Sequence, residues 1–190
     1  MNVKNYETNL PGTTIEFDFK TPGHAEELLH SVFIAGGLVL SQVSSLTGLA
    51  PHMIQNWVKR GFVSPPVGKK YTMRQFCRIA TINFLKDSMQ LEHIVKLIHS
   101  VNGRLDDESD DLIDDSRLYI YFTEILSSCA DYGTLSEPGS VAEEVLADYC
   151  EPYSGAKARI ASVLNIMAIA YASARLKQHA EVLLEGLEQG

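Results

Sequence analysis

The chain is poor in cysteine and in uninterrupted apolar stretches, and each shortage removes a class of protein. Its three cysteines, Cys77, Cys129 and Cys150, are odd in number, unevenly spaced and without a close histidine. That arrangement suits neither a disulfide framework nor a zinc site, so the thiols are read as free and buried. The longest apolar run, residues 160–174, is interrupted by Ser162, Asn165 and Ser173 and flanked by Arg159 and Arg175. It is too short to cross a bilayer and reads as part of a buried helix, with no membrane partner expected. The N-terminus lacks the basic, apolar and small-residue succession of a secretory leader, and a cytoplasmic location is expected.

The chemistry of catalysis is equally sparse. His24, His30, His52, His93, His99 and His179 are scattered, and no pair shares metal-ligand spacing with a carboxylate on one helical face. No glycine-rich phosphate loop follows a strand, and neither a Ser-His-Asp nor a Cys-His context occurs. No metal, no cofactor and no enzymatic activity are therefore expected.

What the chain does have is an uneven distribution of charge. Over its 190 residues, 16 Lys and Arg stand against 24 Asp and Glu, a net −8. Residues 40–102 reverse that balance: Lys59, Arg60, Lys69, Lys70, Arg74, Arg78, Lys86 and Lys96 meet only Asp87 and Glu92, giving +6 and leaving −14 for the rest. A cationic segment inside an acidic protein suits a polyanion, and double-stranded DNA is the natural candidate.

The punctuation of that segment specifies short helices. Ser41 is the expected N-cap of a helix holding Val43 and Leu46 that Gly48 closes. Pro51 opens the next, with Ile54, Trp57 and Val58 on one face and Gly61 after it. Two short helices joined by residues 47–50 read as a helix-turn-helix. The opposite face of the second helix presents His52, Gln55, Asn56, Lys59 and Arg60. Gln and Asn can pair bidentately with adenine in the major groove, and Lys can reach guanine or phosphate. Residues 62–71 contain Pro65-Pro66 and a basic tip, Gly68-Lys69-Lys70, which read as a wing beside the helix. Thr72 and Gln75 form a capping box for a third helix carrying Phe76, Ile79, Ala80, Ile82 and Phe84, and Arg74 and Arg78 near its start are expected to reach phosphate.

Across residues 40–97 these features resemble the DNA-binding domain of MerR-type transcription regulators. The resemblance rests on Thr47-Gly48-Leu49-Ala50-Pro51, Trp57, Gly61-Phe62, the two prolines, Tyr71-Thr72 with Gln75-Phe76, and Leu91-Glu92-His93-Ile94. It implies that residues 51–60 form the recognition helix and the loop after it the wing. Gln55 and Asn56 stand where those regulators usually carry Arg and Tyr, so no target sequence carries over. The wider arrangement, an N-terminal helix and an all-helical remainder, looks like a bacterial regulator-like family of largely unassigned function.

Outside the module, Ile15, Phe17 and Phe19 alternate in a short strand or extended arm, and a helix over residues 24–35 stops at Gly36-Gly37. Seven of the ten residues 106–115 are acidic, which predicts a solvated linker. Helices follow at 118–130, 141–150 and 156–187, the last apolar nearly all round and so covered by other helices or by a second copy of the chain.

The expected fold is all-α: residues 1–37 an arm and helix packed on the rest, 38–103 a winged helix-turn-helix domain, and 104–190 an acidic linker with a C-terminal helical bundle. The expected function is sequence-specific transcription regulation by a homodimer, with any small-molecule effector unidentified. Two rival readings are a protein-interaction module on a helix-turn-helix scaffold and an excisionase-like architectural DNA binder.

Overall fold

Residues 75–85 are apolar or small on every side except at Gln75, Arg78, Thr81 and Asn83, which is the pattern of a helix enclosed by others. In the computed structural model, which describes residues 9–21, 23–103, 105, 110–129 and 139–188, this segment is the central helix. The elements in order are α1 (His24–Phe33), β1 (Leu38–Val39), α2 (Leu40–Thr47), α3 (Pro51–Lys59), β2 (Lys70–Tyr71), α4 (Met73–Leu85), α5 (Leu91–Asn102), α6 (Asp115–Ser128), α7 (Gly139–Val145), a 3₁₀ turn (Leu146–Asp148) and α8 (Ala156–Glu188). The described chain is mostly helical, and its one sheet pairs Leu38 with Tyr71 and Val39 with Lys70, antiparallel.

Every residue of α4 from Gln75 to Leu85 is buried. Val43 of α2 and Ile54 and Trp57 of α3 are buried with it, while α6 and α8 close the other side. There Phe84 stacks on Phe122 at 4.7 Å between ring centroids, and Tyr171 meets both rings edge-on at 5.5 and 5.6 Å. Such aromatic contacts add to the area they bury and fix how the helices face one another. One hydrophobic cluster runs from Leu10 to Ala172, so the helices after residue 104 complete the core of the basic module instead of forming a separate bundle. The N-terminal segment is an extended arm: Leu10, Phe17 and Phe19 are buried, Tyr119 donates to the Pro11 carbonyl at 2.7 Å, and Asn83 Nδ2 donates to the carbonyls of Gly12 and Thr47.

Several expected boundaries move. Ser41 is not an N-cap, because α2 begins at Leu40 directly from β1, and the Gln42 side chain accepts the Val39 N–H at 2.9 Å. Gly48 does end that helix, in the left-handed conformation at φ 68°. The acidic block is not simply solvated. Ile113 within it is buried, Asp114 caps α6 by accepting from Ser116 N–H at 2.7 Å, and Asp115 is buried in the first turn of the helix. Residues 106–109 lie outside the described residues, as do 133–138 of the helix break that Gly133 and Gly139 predict between the helices expected at 118–130 and 141–150; Gly139 itself begins α7. Cys77 and Cys129 are buried, whereas Cys150 is exposed. Among the described residues no helix is long and apolar enough to cross a membrane, and no cluster of His, Cys, Asp and Glu is placed to hold a metal ion.

Candidate nucleic-acid interface

The site is built on α3, whose two faces follow from its sequence. Ile54 and Trp57 point into the core and Met53 and Val58 are half-buried, so His52, Gln55, Asn56, Lys59 and Arg60 are left outside. All five are exposed. The helix starts with Pro51 and has no side-chain cap at Ala50, which leaves first-turn N–H groups without an intramolecular acceptor from that side chain. Phe62 N–H closes the other end by donating to the Trp57 carbonyl at 2.9 Å.

The loop that follows is held in three places. Val63 is fully buried. The Gln75 amide nitrogen donates to the Ser64 carbonyl (2.9 Å), Ser64 Oγ (3.0 Å) and the Pro65 carbonyl (2.9 Å), while its oxygen accepts the Thr72 N–H at 2.9 Å. Beyond that anchor, Lys70 N–H donates to the Val67 carbonyl at 3.0 Å across a tight turn. Both central residues have positive φ, Gly68 at 57° and Lys69 at 64°, as a type I′ hairpin turn requires. Lys69 and Lys70 are exposed at this tip with Val67, whose exposure is 77%. Among the described residues no carboxylate lies within ion-pair distance of Lys59, Lys69 or Lys70.

The arginines behave differently. Arg60 pairs with Glu92 of α5 at 2.6 Å and lies over the Phe62 ring at 4.3 Å. The Glu92 carboxyl is held below the ordinary range by its own backbone N–H and by that guanidinium. Arg74 bonds Asp111 and sits 3.4 Å from Asp115 and 3.5 Å from Asp114, its side chain 20% exposed. Arg78 is 2% exposed, donates to both oxygens of Asp115 at 3.2 Å and gives its Nε–H to the Phe62 carbonyl at 2.8 Å. The expected phosphate contacts of Arg74 and Arg78 are therefore corrected: both turn inward, because the acidic block supplies their counter-charges. Burial raises the Asp115 carboxyl above its usual range, and the charges of Arg78 and Arg74 pull against that shift.

Sequence reasoning missed two positioning residues. Gln75 was visible only as half of a capping box, although its amide also ties down the loop. Asp115 was hidden in a run of acids; the available signals were Leu112-Ile113 inside that run and an arginine inside an otherwise apolar helix, which must find a counter-ion when buried. Changing Gln75 to Leu is expected to lower stability by about 1–3 kcal/mol, since Thr72 N–H and the Ser64 carbonyl lose their partner. It should also open residues 62–69 to limited proteolysis while the helical circular dichroism is retained.

Residues 35–122 are similar to a domain of unknown function, DUF1836. That stretch runs from the β1–β2 pair through α5 and into α6, so it includes both Arg78 and Asp115. The chain is also 30% identical over 110 residues to an uncharacterized protein, YkrK, of Bacillus subtilis (strain 168), an alignment covering 56% of this chain and 47% of that protein. The chain thus spans about half the length of the curated relative it matches. No solved structure matches it.

Proposed function

We propose that the chain is a sequence-specific DNA-binding transcription regulator in which α2 and α3 form a helix-turn-helix, α3 enters the major groove and residues 62–71 act as a wing on the phosphate backbone. The observation that carries this reading is the outward surface of His52, Gln55, Asn56 and Lys59 on α3, in a module whose loop tip carries Lys69 and Lys70, all exposed and with the three lysines free of ion pairs among the described residues. The nine residues of α3 give a rod about 13 Å long, a length that lies readily in a groove about 12 Å wide. Gln55 and Asn56 supply donor and acceptor pairs for base edges, and the lysines supply sequence-independent attraction. The resemblance to MerR-type regulators over residues 40–97 supports the same assignment of recognition helix and wing.

A single module of this size buries too little DNA for strong specificity, so paired half-sites read by a homodimer belong to the proposal. Selection of bound sequences from a random duplex pool tests it. Enrichment of a two-fold symmetric motif is the expected result, and a pool left unenriched refutes the reading. A second reading, docking of a protein partner on the same surface, is favoured by the exposed Val67 at the loop tip and by the internal neutralisation of Arg74 and Arg78. An architectural, excisionase-like role predicts instead monomeric binding to a single asymmetric site with bending.

A further inference from the structure

A cavity of about 690 Å³ opens between the N-terminal arm, the end of α4 and the second half of α8. A space of that size suits a metabolite, not a single water. Its wall on the arm side is tightly fixed: Gly12 adopts φ 70° and lies so close to α4 that a Cβ there would collide with the Ala80 carbonyl. Asn83 Nδ2 donates to the Gly12 carbonyl at 2.8 Å and to the Thr47 carbonyl at 2.9 Å, which sets the amide's orientation, since reversal would turn its oxygen against two acceptors. Asn83 lines the cavity and is only 8% exposed, yet its Oδ1 has no hydrogen-bond donor. An acceptor buried in that state costs about 1–3 kcal/mol.

The rim carries charge. Lys86, Arg175 and Lys177 line the cavity against Asp87 and Glu181, a local balance of 3 − 2 = +1 in a chain of net −8. The two lysines are loosely engaged. Lys86 Nζ reaches the Asn83 carbonyl and Asp87 Oδ1 only at 3.3 Å, and Lys177 stands 3.9 Å from Glu181 with both side chains mostly exposed, so neither contact opposes exchange by much. Gln178 Oε1 accepts from Arg175 Nη1 at 2.6 Å and so orients that guanidinium.

The geometry points to a binding site for a small polyhydroxylated anion, its acidic group between Lys86 and Arg175 and its hydroxyls donating to Asn83 Oδ1, Asp87 and Glu181. Cations select the acid, and the surrounding acceptors select donors on the same molecule. An apolar acid would leave those acceptors unmet, and a cation would meet three like charges. Sugar phosphates and polyhydroxy carboxylates share this chemistry. The position also gives the site a readout. The Asn83 amide holds the Thr47 carbonyl where α2 passes into the turn before α3, and Thr14 ties the arm to the same turn of α2 by donating from its N–H to the Leu46 carbonyl (2.8 Å) and from its Oγ to the Ser45 carbonyl (2.9 Å). An occupant is therefore felt at the helix-turn-helix. The site rests on these walls and not on the DNA-binding reading.

Amide NMR of the isotope-labelled full chain without DNA tests it, with gluconate and glycerol phosphate as probes. Glucose supplies hydroxyls without charge, and inorganic phosphate supplies charge without hydroxyls. At least one probe is expected to give saturable shifts in residues 9–13, in Thr47 and in the Asn83 side-chain amide; whichever is tighter tells a carboxylate ligand from a phosphate. Inorganic phosphate should bind about tenfold more weakly and glucose not at all. The double variant Lys86→Gln, Arg175→Gln should weaken the tighter probe about tenfold or more, whereas Lys96→Gln, exposed on α5 outside the cavity, should leave it unchanged. Failure of both probes to saturate, equal binding of glucose, or shifts gathered at Lys69 and Lys70 instead of the cavity would each overturn the proposal, as would full affinity in the double variant. The map on the unsubstituted chain decides even where the double variant melts early. None of these results bears on whether α3 reads DNA, so the two readings can fail separately.

Discussion

Exchanging Lys69 and Lys70 for glutamate is expected to weaken duplex binding on the order of a hundredfold, about 1.4 kcal/mol for each reversed charge. The slope of log affinity against log salt should fall by about two for each copy, one unit per lost phosphate contact. Stability should move by less than about 0.5 kcal/mol, since both lysines are exposed and free of ion pairs among the described residues. Gln55→Ala and Asn56→Ala act on another component. They should cost about 1–3 kcal/mol at particular base pairs while leaving non-specific binding in place. Fluorescence anisotropy with the selected duplex and with a scrambled one separates the two effects. Were the glutamate pair to leave DNA affinity intact, the protein-docking reading would be preferred; equal binding of both duplexes by the unsubstituted protein would remove the sequence-specific part of the proposal.

Removing the Asp115 carboxylate by Asp115→Ala is expected to lower stability by about 3–5 kcal/mol, because it strands the Arg78 guanidinium in a 2% exposed position. Against a total near 5–15 kcal/mol, that is a large share. The damage should also reach the interface, since Arg78 holds the Phe62 carbonyl at the exit from α3. Replacing both partners with apolar residues, Arg78→Met with Asp115→Leu, should recover most of the loss, because a buried ion pair contributes little net stability over a packed apolar one. Urea denaturation of the two single variants and the double variant gives the coupling directly. Additive losses would mean that the pair does not interact as its 3.2 Å contacts imply.

The parts of the fold legible in the sequence are those fixed by local rules. Helix α3 follows from Pro51, the spacing of Ile54, Trp57 and Val58, and the stop at Gly61; α4 follows from the Thr72 and Gln75 box, whose bonds of 3.2 and 2.9 Å are both present. The outward placement of Gln55, Asn56 and Lys59 is a consequence of that periodicity. What escaped was long-range. No local pattern shows that Arg74 and Arg78 meet carboxylates some forty residues later, so eight cations in one segment overstated its free positive charge. The start of α2 escaped for a similar reason: Val39 is engaged in pairing with Lys70, and the helix begins from that strand instead of from Ser41. In α8 the all-round apolar composition was visible, but only the three-dimensional packing separates the face that fills the core from Ile166, Ile169, Leu176 and Leu183, which are left exposed.

A salt titration of the full chain on a labelled duplex asks whether the α3 surface and the lysine-tipped loop bind DNA as proposed. Lys59, Lys69 and Lys70, without ion pairs among the described residues, in each of two copies predict a slope near −5 in log affinity against log salt, at about −0.9 per phosphate contact, with tight binding at low salt. Absence of binding at low salt, or an affinity indifferent to salt, would rule out DNA binding by this surface.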